Sequence, residues 1–528
     1  MTAPQDKYIL AIDLGTSGPK VALVSATGSV AAYEFEQTQV ILIDQGGAEQ
    51  DPAQWWQAIK KACQRLLGSQ AGKAAEIVAI SCTSQWSGTV AVDRDGQPLM
   101  NAIIWMDSRG APYVRQVTGG LLRISGYGLP KLLRWLRLTG GIPGHAGKDS
   151  IAHILYIKNK LPDLYERTYK FLEPKDYLNL RLTGKFAAST DSVTLHWLTD
   201  NRDISNIDYH DSLLAMAGVA REKLPALEKA VDILAPIKPE VAKELGLSEH
   251  VQVIVGTPDV QSAAIGSGAV RDYEGHLYLG TSSWLTCHVP YKKTDLFHNI
   301  ASLPSAIPGR YFVANEQESA GACLNFLENN ILFHKDELTP NGGVGNPYRL
   351  FDQIADRTPA GSGRVIFTPW LYGERTPVDD HLVRSGFYNQ SLHTTRDHLI
   401  RAVFEGVAYN SNWLLKYVEK FIKRRFEAIT IIGGGARSEV WCQIHADVLN
   451  RPVRQVVDPI QANLRGAAFL ASVALGYLTF AQIPDQVEIV RTFQPNPANR
   501  EIYDLLFREF LNIYKKNRGI YARLNKVS

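Results

Sequence analysis

Cysteine is scarce in this chain and poorly placed for joint chemistry. Five residues, at positions 63, 82, 287, 323 and 442, are odd in number, widely separated and never spaced Cys-x-x-Cys. That excludes a disulfide framework and a thiolate zinc site, and predicts free thiols in a reducing compartment. An excess of charge of one sign is also lacking. Fifty-six Lys and Arg face 53 Asp and Glu, a net charge of +3, which gives no reason to expect nucleic acid. Much of that surplus sits in the tail, where residues 500–528 hold seven basic and three acidic side chains. No apolar run approaches the ~18 residues of a membrane helix, and no basic-then-apolar segment opens the chain. A cytoplasmic protein without membrane contact is therefore expected, as a monomer or homodimer. At 45% hydrophobic and 21% charged residues the chain is an ordinary globular sequence. Its 528 residues exceed the about 250–300 that one core sustains, so two domains are expected.

The pattern along the chain supports two similarly built halves. YILAIDLG (8–15) is an apolar strand broken by Gly-Thr-Ser-Gly, and KVALVSATGSVAAYEFE continues as strand, turn and strand. HLYLGTSSWLTCHVP (276–290) repeats that plan 265 residues later, counting from Gly15 to Gly280. Asp51 and Pro52 supply an N-cap and a first-turn proline for a helix through WWQAIKKACQRLLG, stopped at Gly68. VQVIVG (251–256) reads as a buried strand, and 427–450 as strand, glycine loop and helix. Tyr503, Leu506, Phe507, Phe510 and Tyr514 fall on one helical face near the C-terminus. The Gly-rich, basic stretch 114–145 fits no regular element.

Three glycine turns suit phosphate. Gly15–Thr16–Ser17 and Gly280–Thr281–Ser282 offer backbone N–H groups and hydroxyls with little bulk. Gly433–Gly435 follows an apolar strand and precedes a helix, where backbone can approach a ligand closely. It is neither a P-loop, having no Gly-Lys-Ser/Thr, nor a Gly-x-Gly-x-x-Gly fingerprint, since Ser438 stands where the third glycine is needed. Two isolated acids, Asp13 and Asp259, stand at the ends of apolar strands. Together these features predict a nucleotide in an interdomain cleft, with acids to hold Mg²⁺ and activate an acceptor.

Nine stretches in order carry a resemblance. They are IDLGTSGPK (12–20), DPAQWWQA (51–58), IIWMDSRG (103–110), FLEPKDYLNLRLTG (171–184), GTPD (256–259), LGTSSW (279–284), PWLYGERTPVDD (369–380), RDHLIRAVFEGVAY (396–409) and IIGGGARSEVWCQIHADVLNRPV (431–453). With them the chain resembles, nearly end to end, the FGGY carbohydrate kinases of the actin-like ATPase superfamily, and most of all their xylulokinase-like branch. The resemblance implies an α/β fold of two ribonuclease H-like domains. Residues 1–252 would form the N-terminal sugar-binding domain and 253–490 the C-terminal domain, with 491–528 a helical tail packed on the fold. It implies ATP and Mg²⁺, Asp259 as general base and Asp13 as the metal acid. Gly15, Thr16, Ser17 and Lys20 would line the first phosphate loop, Gly280, Thr281 and Ser282 the second, and Gly434, Gly435 and Ser438 the adenosine site. Small neighbours of Asp259 would begin a helix whose dipole lowers the acid's pKa.

Departures from the family pattern fall on the sugar side. Gln85-Trp86-Ser87-Gly88 replaces Gln-Met-His-Gly, Val260 replaces an amide beside the base, and His153 stands where lysine is common. Asp107, in Trp-x-Asp-x-Arg, completes the expected substrate set of Gln85, Trp86, Ser87, Asp107 and Val260. The implied activity is ATP-dependent phosphorylation of a small sugar or polyol, a pentulose first. Ribulose, gluconate, erythritol or another polyol are alternatives, as is a non-catalytic sugar sensor. An actin- or chaperone-like ATPase is the other competing class, and the GERTP and Trp-x-Asp-x-Arg segments speak for the kinase.

Overall fold

The computed structural model describes residues 6–332 and 346–525; the last three residues of the expected tail, 526–528, lie outside the described residues. Its first sheet has six strands in the order Ile233–Pro236, Gln252–Ile254, Ile77–Ser84, Tyr8–Gly15, Gly18–Ser25 and Val30–Phe35. Tyr8–Gly15 runs antiparallel to Gly18–Ser25 and parallel to Ile77–Ser84. The second sheet, five strands from Ser283–Thr286 through Gly275–Leu279, Ile429–Ile432 and Val453–Val456 to Ile489–Phe493, repeats that plan. Its hairpin Gly275–Leu279/Ser283–Thr286 also lies beside a parallel strand. The two expected halves are thus two sheets of one design.

Alternation along Tyr8–Gly15 divides its two buried faces. Leu10, Ile12 and Leu14 pack against Trp55, Ile59, Cys63 and Leu66 of the helix Pro52–Ser69. That helix starts as expected, with the Asp51 carboxylate accepting from Ala53 N–H at 2.8 Å. The opposite face is small. Ile9 and Ala11 meet Leu464, Ala467, Ala468 and Ala471 of the helix Ala462–Ala474, which lies beyond the second sheet's central strands in sequence.

This helix crosses a second one, Asp259–Gly266, which carries the expected base. The crossing is close because glycine is present on both sides. A Cβ on Gly266 would lie 1.8 Å from the Ala462 carbonyl oxygen, and one on Gly466 1.9 Å from that of Ser262. Ser262 Oγ donates to the Asn463 carbonyl at 2.7 Å, and Arg465 Nε to the Gly266 carbonyl at 2.7 Å. Each domain therefore lends the other a helix, and the crossing fixes how the sheets face one another.

The expected domain edges need correction. Gln252–Ile254 hydrogen-bonds into the first sheet, so a boundary at 252/253 cuts a strand. Ile489–Phe493 pairs with Val453–Val456, so 490/491 cuts another. Stretch 114–145 proves regular in part, with a helix over Ala111–Thr118, a short hairpin, Arg123–Ile124 with Tyr127–Gly128, and a helix over Leu129–Thr139. Leu132, Trp135 and Leu138 bury it in a helical core that also receives Leu303 from the C-terminal domain. The final helix Arg500–Asn525 buries Tyr503, Leu506, Phe507 and Phe510 as its periodicity predicts. All five cysteines are buried and free. Among the described residues no helix is long and apolar enough to cross a membrane.

Candidate active site

Asp13 and Lys20 face each other across the first hairpin as cross-strand partners, with Nζ 3.5 Å from Oδ2. Asp13 sits on the small face of its strand, against the helix crossing, and Asn463 Nδ2 also approaches Oδ2 at 3.5 Å. Both contacts are long. A nearly buried carboxylate, 3% exposed, is thereby left lightly held by protein donors.

Asp259 is the first residue of its helix, after the flanking Pro258, and does not cap it in the usual way; its Oδ1 accepts from the Val260 N–H at 2.8 Å. The residue as a whole stays partly exposed while protein surrounds its carboxyl. Burial, then the neighbouring charge of Asp13, push its pKa up to about 8, against the Val260 hydrogen bond. The expected lowering by the helix dipole is overturned. One partial charge at the end of an eight-residue helix does not outweigh desolvation and a second carboxylate.

The three loops differ in what they leave free. In the first, Ser17 is exposed, but the Thr16 hydroxyl donates to Gln85 Oε1 and accepts from Trp105 Nε1, both at 3.0 Å. Gln50 Nε2 takes the Thr16 carbonyl at 2.8 Å, and its Oε1 accepts from Gln85 Nε2 at 2.7 Å. Thr16 thus turns toward the sugar-side loop. In the second, Thr281 is exposed, and Ala320 N–H and Gly321 N–H hold the loop through the carbonyls of Thr281 and Gly280. In the third, Gly434 is exposed with open space at its Cβ position. The Ser438 hydroxyl is already used, accepting from Trp441 N–H at 3.1 Å and donating to Asp352 at 2.6 Å.

The sugar-side residues are not equally presented. Gln85 belongs to the Thr16 network. Ser87 has a left-handed backbone, φ 62°, and its Oγ donates to the Lys148 carbonyl at 2.7 Å, so the hydroxyl is engaged by protein. Trp86 is partly buried and donates from Nε1 to the Ser192 carbonyl at 2.9 Å. Asp107 is 1% exposed and accepts from the backbone N–H of Ala48 and of Arg109, each at 2.9 Å, and from Arg109 Nε at 2.8 Å. It holds Arg109, which also meets Glu49 at 2.6 Å, and the Asp107 Oδ1 takes one protein donor. His153 is buried, bonded to Thr89 and pushed down to about 4 by desolvation, hence neutral. Val260 remains partly open next to Asp259.

One group escaped the sequence reading. The helix Pro174–Thr183 ties both walls of the site together. Glu173 accepts from the Gly88 N–H at 3.0 Å behind the loop 85–88, while Lys175 and Asn179 donate to the Val255 carbonyl at 2.9 and 2.7 Å behind Asp259. Thr257 donates to Asp191, and Lys175 is paired with Asp176. The available signal was the charged pair Lys175-Asp176 at the start of a helix, 1% and 0% exposed in the structure.

Two sheets of one design, facing across crossed helices, with glycine loops and two nearby carboxylates, define a phosphotransferase of the actin-like ATPase fold. The sequence comparison narrows this further. Family models match at residues 8–266 (FGGY family of carbohydrate kinases, N-terminal domain) and 276–475 (C-terminal domain), and the chain belongs to that family. It is an ATP-dependent sugar kinase. It is similar to a xylulose kinase of Staphylococcus epidermidis, 29% identical over 99% of both chains. Among solved structures it resembles a gluconate kinase of Lactobacillus acidophilus (TM-score 0.85, 26% identity, 98% and 99% of the two chains). A ligand-bound xylulose kinase of the same organism is equally similar in fold (0.85, 25%, 98% and 100%).

Proposed function

We propose that the chain transfers the γ-phosphoryl group of ATP to a neutral pentulose. In this reading Asp259, ionised when the acceptor is seated, takes the proton of the attacking hydroxyl. The backbone N–H groups of the glycine loops and Lys20 orient the phosphates. Asp13, lightly held by Lys20 and Asn463, is suited to the water shell of Mg²⁺, which keeps much of its hydration and would neutralise phosphate charge.

The observation that carries the choice of acceptor is the charge around the base. The carboxylates of Asp13 and Glu316 both bear on Asp259. Lys20 is the one cation that bears on Asp259 among the described residues, and the arginine beside Glu316 is matched as well. Lys20 faces Asp13, and Arg375 is paired with Glu316 at 2.5 Å and Glu318 at 3.1 Å. An acceptor carboxylate such as that of gluconate would meet acidic groups around the base with no unmatched cation beside them among the described residues, whereas a neutral ketose pays no such cost. Coupled ADP release with d-xylulose, d-ribulose, neutral polyols and gluconate tests this. A neutral pentulose should exceed gluconate at least tenfold in kcat/KM; preference for gluconate would overturn it.

A further inference from the structure

Tyr278, which neither the family resemblance nor the sequence motifs single out, occupies the angle between two of the glycine loops. It is the penultimate residue of the strand Gly275–Leu279, and its ring stacks on cross-strand Trp284 with centroids 3.9 Å apart and planes 9° from parallel. Leu277 and Leu279 point into the C-terminal core, so Tyr278 lies on the other face, toward the helix that begins with Asp259. Its hydroxyl end rests on the second loop: a Cβ at Gly280 would fall 2.2 Å from the phenolic oxygen. Its ring edge borders the third, since a Cβ at Gly433 would lie 3.2 Å from Cε2. At Gly280 the ring itself excludes a side chain, whereas at Gly433 the nearer obstacle is the Leu279 carbonyl oxygen at 2.6 Å. Among the described residues the Tyr278 hydroxyl has no hydrogen-bond partner, although the ring is largely covered. The phenolic oxygen is not among the buried polar atoms left unmatched, so it stays open to solvent and to a ligand seated on the second loop.

We infer that Tyr278 is a further substrate-contacting residue, its hydroxyl donating a hydrogen bond to the terminal phosphate of the bound nucleotide. The inference rests on the kinase reading, which sets the phosphates at the loops 15–17 and 280–282 and the adenosine at 433–435. Burial, then the carboxylates of Asp259 and Asp13, raise the phenol's pKa, so it stays protonated and donates. A phosphate oxygen is the strong acceptor that this position lacks. The ring's contact with both loops also explains why a bulky aromatic residue sits in a strand otherwise lined, on that face, by the helix crossing.

Tyr278→Phe removes the hydroxyl and keeps the stack. Calorimetric binding of ADP and of a non-hydrolysable ATP analogue, without acceptor, reads the contact directly. The variant should bind the triphosphate analogue at least fivefold more weakly and ADP within twofold of wild type, with an unchanged thermal midpoint. Turnover should fall about tenfold while the acceptor KM stays within twofold. Unchanged affinity for both nucleotides would overturn the inference, as would an equal loss for both, which would move the contact off the terminal phosphate. Wild-type failure to bind either nucleotide would instead overturn the kinase reading on which the inference rests.

Discussion

Asp259→Asn should retain the fold and nucleotide binding and lose at least ~10²-fold in turnover, the scale of a positioned general base. The substitution is nearly isosteric and keeps an oxygen for the Val260 N–H. It removes only the capacity to take a proton. Because burial and Asp13 disfavour the ionised carboxylate, the neutral amide is tolerated at that position without new strain. Steady-state kinetics at saturating ATP, with ADP binding measured alongside, separates chemistry from binding. A turnover within threefold of the parent would remove Asp259 from the mechanism.

The second large effect concerns the helix crossing. Gly466→Ala should lower the apparent thermal midpoint by about 5 °C or more, because overpacking against rigid backbone costs about 1–3 kcal/mol or more. The added Cβ would meet the Ser262 carbonyl at 1.9 Å, and main chain cannot rotate aside as a side chain does. Ser262 lies one helical turn after Asp259, and Asn463 beside Asp13, so any separation of the helices also moves the two carboxylates apart. Folded variant should therefore lose activity as well as stability. Gly68→Ala is the control, since nothing lies within 4 Å of a Cβ there and alanine is the better helix former. Equal midpoints for the two variants would mean that the crossing carries no strain.

What the sequence made legible was whatever local chemistry determines. Apolar strands that end in Gly-Thr-Ser gave both hairpins, Asp51-Pro52 gave a helix start, and the five-residue apolar stripe gave the buried face of the last helix. Asp13 and Asp259 stood out because a lone acid after a buried strand is expensive without a task. What remained hidden depends on contacts distant in sequence. Gly266 meets Ala462, and the partners of Ser87 and Trp86 are 61 and 106 residues away. The Thr16 hydroxyl was expected to face a phosphate, and its bonds to Gln85 and Trp105, 69 and 89 positions away, could not be read from the local pattern. The direction of the Asp259 pKa shift was misread for the same reason: the helix is local, whereas Asp13 is 246 positions earlier in the chain. The edges at 252 and 490 failed because sheet membership is decided by pairing, which composition does not report.

The central claim, that a carboxylate held near neutrality by burial and by Asp13 takes the acceptor's proton, is tested most directly by the pH dependence of kcat/KM, which reports the free enzyme. The ionised form of Asp259 is the active one, so activity should rise with pH and level off above a midpoint near the value of about 8 set by its surroundings. A profile that is flat from about pH 5.5 to 9, or that falls across that range, would contradict the account.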